Sequence, residues 1–177
     1  MRTIDPRRLV FIDESSAKTN MARLYGRARS GQRVRDAVPC GTWNTTTMIA
    51  GISLSGARAA MLLSGAIDGA AFEVWVRDVL VPTLQPGDVV IMDNLSSHKN
   101  QAARKHILSA EALILELPPY SPDLNPIEKM WSKVKAGLRT AEARTQPAWI
   151  QAMASALEGV TRQDAMNWFA SCGYSFI

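Results

Sequence analysis

Apolar and polar positions change rhythm several times along the chain. Residues 8–14 (Arg-Leu-Val-Phe-Ile-Asp-Glu) are an apolar run broken abruptly by acid, the pattern of a buried strand with a polar end. Residues 18–42 are polar and rich in Arg and Gly, which predicts a long loop or irregular hairpin. Residues 44–54 are β-branched and partly alternating, and Gly56 turns the chain into a further strand over 57–63. Over 70–84 the apolar residues Phe72, Trp75, Val76, Val79 and Leu80 fall at helical spacing. Pro86-Gly87 is a turn, and residues 88–93 (Asp-Val-Val-Ile-Met-Asp) repeat the apolar run that ends in acid. A helix over 100–110 and a short strand over 112–117 follow. Pro118, Pro119 and Pro122 mark a rigid loop, and a helix runs from Pro126 to about Thr140. Two shorter helices are expected at 147–158 and 162–171. This order predicts an α/β fold, a central mixed sheet with a three-strand meander flanked by helices.

Composition narrows the class. The chain has 177 residues, of which 47% are apolar, enough for one globular domain with a real core. The expected domain core is 8–140, with the last helices packed on it. No stretch reaches the roughly 18 uninterrupted apolar residues of a membrane span, and residues 1–8 lack the apolar run of a secretory signal. Cys40 and Cys172 are the only cysteines, too few for a disulfide framework or a four-cysteine zinc site. The cytoplasm is the expected compartment.

The net charge of +4 is uneven. Residues 1–36 hold nine Lys/Arg against four Asp/Glu, and residues 98–140 hold seven against four. Between them, residues 37–97 hold two against five. Two basic blocks flanking an acidic stretch can attract a phosphate backbone, although a solvated surface carries similar charge.

Two apolar runs each end in an aspartate, Asp13 and Asp93. If the strands are adjacent and parallel, both carboxylates emerge at one sheet edge, where ligand sites of open α/β sheets gather. The third acid, Glu128, falls at the third position of the helix opened by Asn125 and Pro126. It reads either as a capping-box residue or as a ligand held on a rigid helix start. Down the same helix Ile127, Met130, Trp131, Val134 and Leu138 form a buried stripe, while Glu128, Ser132, Lys135 and Arg139 share another face. Three carboxylates without clustered His or Cys favour a hard ion bound through oxygen, Mg²⁺ or Mn²⁺. Two such ions about 3.5–4 Å apart serve phosphodiester displacement.

Three motifs carry a family resemblance: Phe11-Ile-Asp-Glu14, Ile91-Met-Asp-Asn-Leu-Ser-Ser-His98 and Pro119-Tyr-Ser-Pro-Asp-Leu-Asn-Pro-Ile-Glu-Lys-Met-Trp131. Together they resemble the DDE transposases of the mariner-like superfamily, in particular the bacterial insertion-sequence branch, and 34 residues separate Asp93 from Glu128. The resemblance covers about residues 8–140. It implies an RNase H-like fold, Asp13, Asp93 and Glu128 as catalytic metal ligands, and two Mg²⁺ or Mn²⁺ ions. It further implies DNA strand cleavage and strand transfer during transposition, acting on transposon ends and a target, usually at a TA dinucleotide, in a bacterial cell and on its nucleoid.

Accessory candidates are Glu14, which strand alternation points away from Asp13, together with Asn94, His98 and Asn125. His98 suits either a phosphate contact or proton shuttle near the metals, or a surface or capping role. Asn125, Tyr120 and Pro122 are expected to shape the loop. Arg23, Arg27, Arg29, Arg33 and Arg35 after the first strand are candidates for DNA phosphates or a second subunit, and Lys129, Lys135 and Arg139 for DNA. Trp75, Trp131, Trp149 and Trp168 are expected in the core. The resemblance also implies N-terminal helix-turn-helix domains, for which no room precedes Arg8. End recognition is then expected from an upstream DNA-binding half, and paired-end chemistry implies a homodimer. The rival readings are an RNase H-like nuclease without strand transfer and a non-catalytic DNA-binding or interaction fragment.

Overall fold

A computed structural model describes residues 4–174 apart from 24, 36, 38, 41 and 42. Part of the expected 18–42 loop and of the N-terminal stretch therefore lies outside the described residues. The sheet has five strands in the order β3-β2-β1-β4-β5. β1 (Leu9–Lys18), β2 (Thr45–Ser53) and β3 (Gly56–Ser64) form the antiparallel meander, and β4 (Val89–Met92) and β5 (Leu113–Glu116) add parallel strands on the other side of β1. Helices α1 (Gly69–Trp75), α2 (Gln101–Ser109), α3 (Pro126–Ala141), α4 (Gln146–Glu158) and α5 (Arg162–Ser171) complete the fold. The sheet is mixed and flanked by helices, as expected.

Strand alternation divides the core in two. Leu9, Phe11, Met48, Ala50, Ile52, Val89 and Ile91 project to one face, where they pack against the stripe of α3 and against Trp149, Met153 and Phe169. Val10, Ile12, Ile49, Val90 and Met92 project to the other, against Phe72, Trp75, Leu80, Ala103 and Ile107. A strand buried on both faces must read as a continuous apolar run, which is why β1 and β4 show no alternation in sequence. Trp75, Trp131 and Trp149 are buried, while Trp43 is substantially exposed.

Two expectations change. The strand carrying Asp13 does not end there: β1 continues to Lys18, because Ser15 through Lys18 pair with Met48 through Thr45 of β2 and Ala17 is buried. The helix over 70–84 is not uniformly α-helical. After α1 it widens into a π-helical segment over Val76–Leu80 and closes with a 3₁₀ turn over Val81–Thr83. Among the described residues of 19–44 there is no helix or strand.

Candidate active site

Register places the first two acids. β1 and β4 run parallel with Phe11 opposite Ile91, so two residues further along each strand Asp13 stands abreast of Asp93. β4 ends at Met92 whereas β1 continues. The acids therefore lie where one strand outlasts its neighbour, at the carboxyl end of the parallel pair. Asp13 shares the parity of Phe11 and faces α3. Glu128 sits in the first turn of α3, where the positive end of the helix dipole favours a carboxylate. Asn125 occupies the N-cap without donating or accepting a side-chain cap bond, and its Oδ1 is buried without a partner. The capping-box reading of Glu128 is not realised.

Asp93 and Glu128 line one cavity of about 490 Å³, together with Asn94, Asn125 and the proline loop that follows β5. Burial, and then the charges of Glu14, Glu128 and Asp93, push the Asp13 carboxyl up to about 7, against the lowering effect of the Glu14 backbone N–H. Asp13 thus feels the charge of both other acids. The three acids are not yet a closed cage: among the described residues, no three His, Cys, Asp or Glu side chains are gathered to hold an ion. Asp93 is turned away, its Oδ1 accepting from the Leu95 backbone N–H at 3.0 Å and facing His98 Nδ1 at 2.8 Å.

The donor set nevertheless suits a hard divalent cation. It consists of carboxylates alone, and the innermost one, Asp13, is held towards its protonated form first by burial and then by the charge of its acidic neighbours.

His98 is the residue whose role the sequence left most open. It is buried between two acids, Nε2 2.8 Å from Glu14 Oε2 and Nδ1 2.8 Å from Asp93 Oδ1. Its ring centroid lies 4.8 Å from that of Phe72. A neutral imidazole has one N–H, so donating to both carboxylates requires the protonated ring. Burial alone would lower its pKa, but the Glu14 hydrogen bond and charge, with Asp93 behind them, raise it above the ordinary value. Glu14 therefore does face away from Asp13, as alternation requires, and it grips Asp93 from behind through His98. Its other oxygen, Oε1, is buried without a partner.

The basic candidates divide. Arg23 pairs with Glu142 at 3.5 Å, and Arg144 donates to the Thr19 and Met21 carbonyls, which ties the loop after β1 to the end of α3. Arg27, Arg29, Arg33 and Arg35 are exposed and, among the described residues, have no ion-pair partner. Lys129 is bound to the Ser171 hydroxyl of α5 and so is turned from the acids. Lys135 and Arg139 are half-buried on α3. Tyr120 was expected only to shape its loop. It is fully exposed on the wall of the acid cavity, with φ +58°, a left-handed backbone that an aromatic residue rarely adopts. Tyr-Ser-Pro, with a proline two residues on, gives no sequence signal for that exposure.

Two outcomes follow for the metal-free protein. Because the folded-state pKa of Asp13 lies above its ordinary value of 3.8, the folded state holds a proton that the unfolded state loses. Its contribution to stability therefore falls as pH rises from about 4 and is fully lost above about 7. Asp13→Asn should raise stability by roughly 1–3 kcal/mol at pH 8 and change little at pH 4, measured by urea denaturation. His98→Leu leaves the buried Glu14 carboxylate unpaired and should cost roughly 3 kcal/mol. Adding Glu14→Gln should restore part of that loss, and additive effects in this double-mutant cycle would contradict the pairing.

Comparison with known proteins matches residues 8–149 to the DDE superfamily endonuclease family. No curated protein sequence matches the chain. Solved structures do. The Mos1 strand transfer complex superposes with a TM-score of 0.70 at 20% identity, over 94% of this chain and 51% of that one. The catalytic domain of Mos1 mariner transposase gives 0.65 at 16% identity, over 95% and 76%. The Mos1 catalytic domain with raltegravir and Mg gives 0.66 at 17% identity, over 97% and 87%. At such identity the likeness is one of fold, and the chain spans about half the length of the Mos1 protein in the strand transfer complex. The match across most of its length establishes that the chain belongs to the DDE superfamily endonuclease family.

Proposed function

We propose that this chain is the RNase H-like catalytic domain of a transposase, cutting DNA strands and joining them to a target with divalent metal ions. The observation that carries the reading is the convergence of Asp13, Asp93 and Glu128 from two parallel strands and a helix start, close enough that Asp13 feels both other charges. Mos1 structures of the same fold include paired-end complexes with DNA and with Mn or Mg, which supports DNA and two Mg²⁺ or Mn²⁺ ions as partners here.

Asp13, Asp93 and Glu128 would hold the ions. When bound, these supply charge stabilisation for in-line displacement at phosphorus and an oxygen nucleophile at neutral pH. The chain's own contribution is positioning. β1 and β4 set the register of Asp13 and Asp93 where their pairing ends. Glu14 and His98 hold Asp93 from behind. Asn94 lies on the cavity wall. The arginine loop after β1, with Arg27, Arg29, Arg33 and Arg35 exposed, is suited to DNA phosphates or a second subunit, and Lys135 and Arg139 extend a basic face along α3. End recognition by an upstream DNA-binding half, pairing as a homodimer and a TA target belong to the same reading, as does an origin in the bacterial insertion-sequence branch. No helix among the described residues is long and apolar enough to cross a membrane.

Mn²⁺-supported nicking of a plasmid should be readily detected with the wild type and fall by at least 10²-fold in Asp93→Asn. Equal rates would reject the mechanism. With pre-cleaved ends, joining to target DNA separates strand transfer from hydrolysis alone. Reversing Arg27, Arg29 and Arg33 to Glu should weaken DNA binding and flatten its dependence on log salt by roughly three phosphate contacts. An unchanged slope would assign the loop to protein contacts instead.

A further inference from the structure

A second, larger cavity lies at the opposite end of the sheet. Its volume is about 740 Å³, and its wall combines the β2–β3 turn, the segment before β4 and the first turns of α5. Phe11 pairs with Ile52 and Leu9 with Val89, so Ser53 and Asp88 stand near the amino end of β1. Asp13 is three residues beyond the level of Ser53 and five beyond that of Asp88, roughly 10–17 Å along the strand at ~3.3 Å per residue. The two cavities are therefore separate sites.

Charge accounting singles out two guanidiniums. Arg7 is committed to Asp5 at 2.7 Å. Asp88 is committed too: its Oδ2 accepts the Gln85 backbone N–H at 2.9 Å, and its Oδ1 lies 3.6 Å from Arg8. Arg58 and Arg162 also line this cavity; among the described residues neither side chain has a hydrogen bond or an ion pair within 4 Å, and Arg58 feels only the more distant charge of Asp88. Arg162 opens α5 at an exposed position.

Arg58 is placed by the fold. It pairs across the sheet with Gly51, beside an irregularity in the β2–β3 ladder. The Arg58 stem lies over Gly51, its Cγ 3.4 Å from where a Cβ on that glycine would stand. The guanidinium is half-buried, and burial pulls its pKa down while the charge of Asp88 opposes the pull. A partly desolvated cation with no direct ion pair is costly, and an anion in the cavity would relieve that cost beyond what the more distant Asp88 does. The planar fork of arginine suits phosphate oxygens. The remaining wall offers the Ser53 and Ser55 hydroxyls, 2.7 Å apart, and the apolar side chains of Leu54 and Met166. The volume falls in the range of small-molecule sites.

We infer that this cavity binds a phosphate group carried on a compact, partly apolar body, the chemistry of a nucleotide, with Arg58 and Arg162 as its phosphate ligands. The nucleotide comes either free or as the phosphorylated end of a DNA strand. The site is independent of the acid cavity and does not rest on the nuclease reading.

Calorimetric titration of the full chain with 2′-deoxyadenosine 5′-monophosphate tests it. Wild type should bind at one site, and Arg58→Gln/Arg162→Gln should weaken binding at least tenfold. Arg162→Gln alone, at an exposed position that does not threaten folding, should weaken it about threefold or more. Asp93→Asn should bind as wild type does, even where it has lost nicking. A 5′-phosphorylated oligonucleotide that displaces the mononucleotide identifies the strand end as the source, and failure to displace it identifies the free nucleotide. The inference is overturned if wild type binds neither probe, or binds them as tightly after both arginine substitutions.

Discussion

The parallel pairing of β1 with β4 is the constraint on which the rest of this protein depends. Three residue pairs, ending with Phe11 opposite Ile91, hold the two strands in register. That register carries Asp13 and Asp93 to adjacent positions just past the point where pairing stops. A slip of one residue in either strand would turn that strand's acid to the opposite face and carry its apolar neighbour, Phe11 or Ile91, into the wrong core layer. The same apolar residues that fill both layers thus set the relative position of the carboxylates. α3 docks on the Phe11 side through Ile127, Met130, Trp131 and Val134, and this docking presents its first turn, with Glu128, to the same edge.

Gathering carboxylates at the rim of an apolar core is electrostatically expensive, and the fold handles it in two different ways. On the α3 face Asp13 keeps its proton to about neutral pH, chiefly because it is buried and then because its neighbours are acids. On the other face Glu14 and Asp93 share a buried histidine that is biased towards its charged form. One arrangement is relieved by a retained proton and the other by the histidine between its acids. Asp93 belongs to both, since its Oδ1 is held by His98 while its carboxylate borders the cavity that Glu128 shares. Any ion binding there must compete with that grip, which makes the Glu14–His98 pair a support for Asp93 as well as an anchor for the core.

The two ends of the sheet carry opposite chemistry. Acids collect where the parallel strands end, and spare arginines collect where they begin. Between the two, the loop after β1 leaves the acid edge and is fastened back on α3 and its exit by Arg23 and Arg144. Its remaining arginines, Arg27, Arg29, Arg33 and Arg35, are exposed.

Much of this was legible in the chain because burial leaves a periodic trace. The doubly buried strands appear as uninterrupted apolar runs, α3 appears as a stripe at helical spacing, and the acids announce themselves by breaking those runs. The motifs around Asp13, Asp93 and Glu128 carried the family resemblance before any fold was seen. What tertiary structure decided lies in relations between residues far apart in sequence. That β1 runs on past Asp13 depends on pairing with β2, and the tie between Glu14 and His98 spans 84 positions. The exposure of Tyr120 and the spare guanidiniums of Arg58 and Arg162 likewise follow from which neighbours folding brings close. Periodicity reports which face of an element is buried; it carries no information about which partner a polar side chain meets there, because that depends on register and docking between elements.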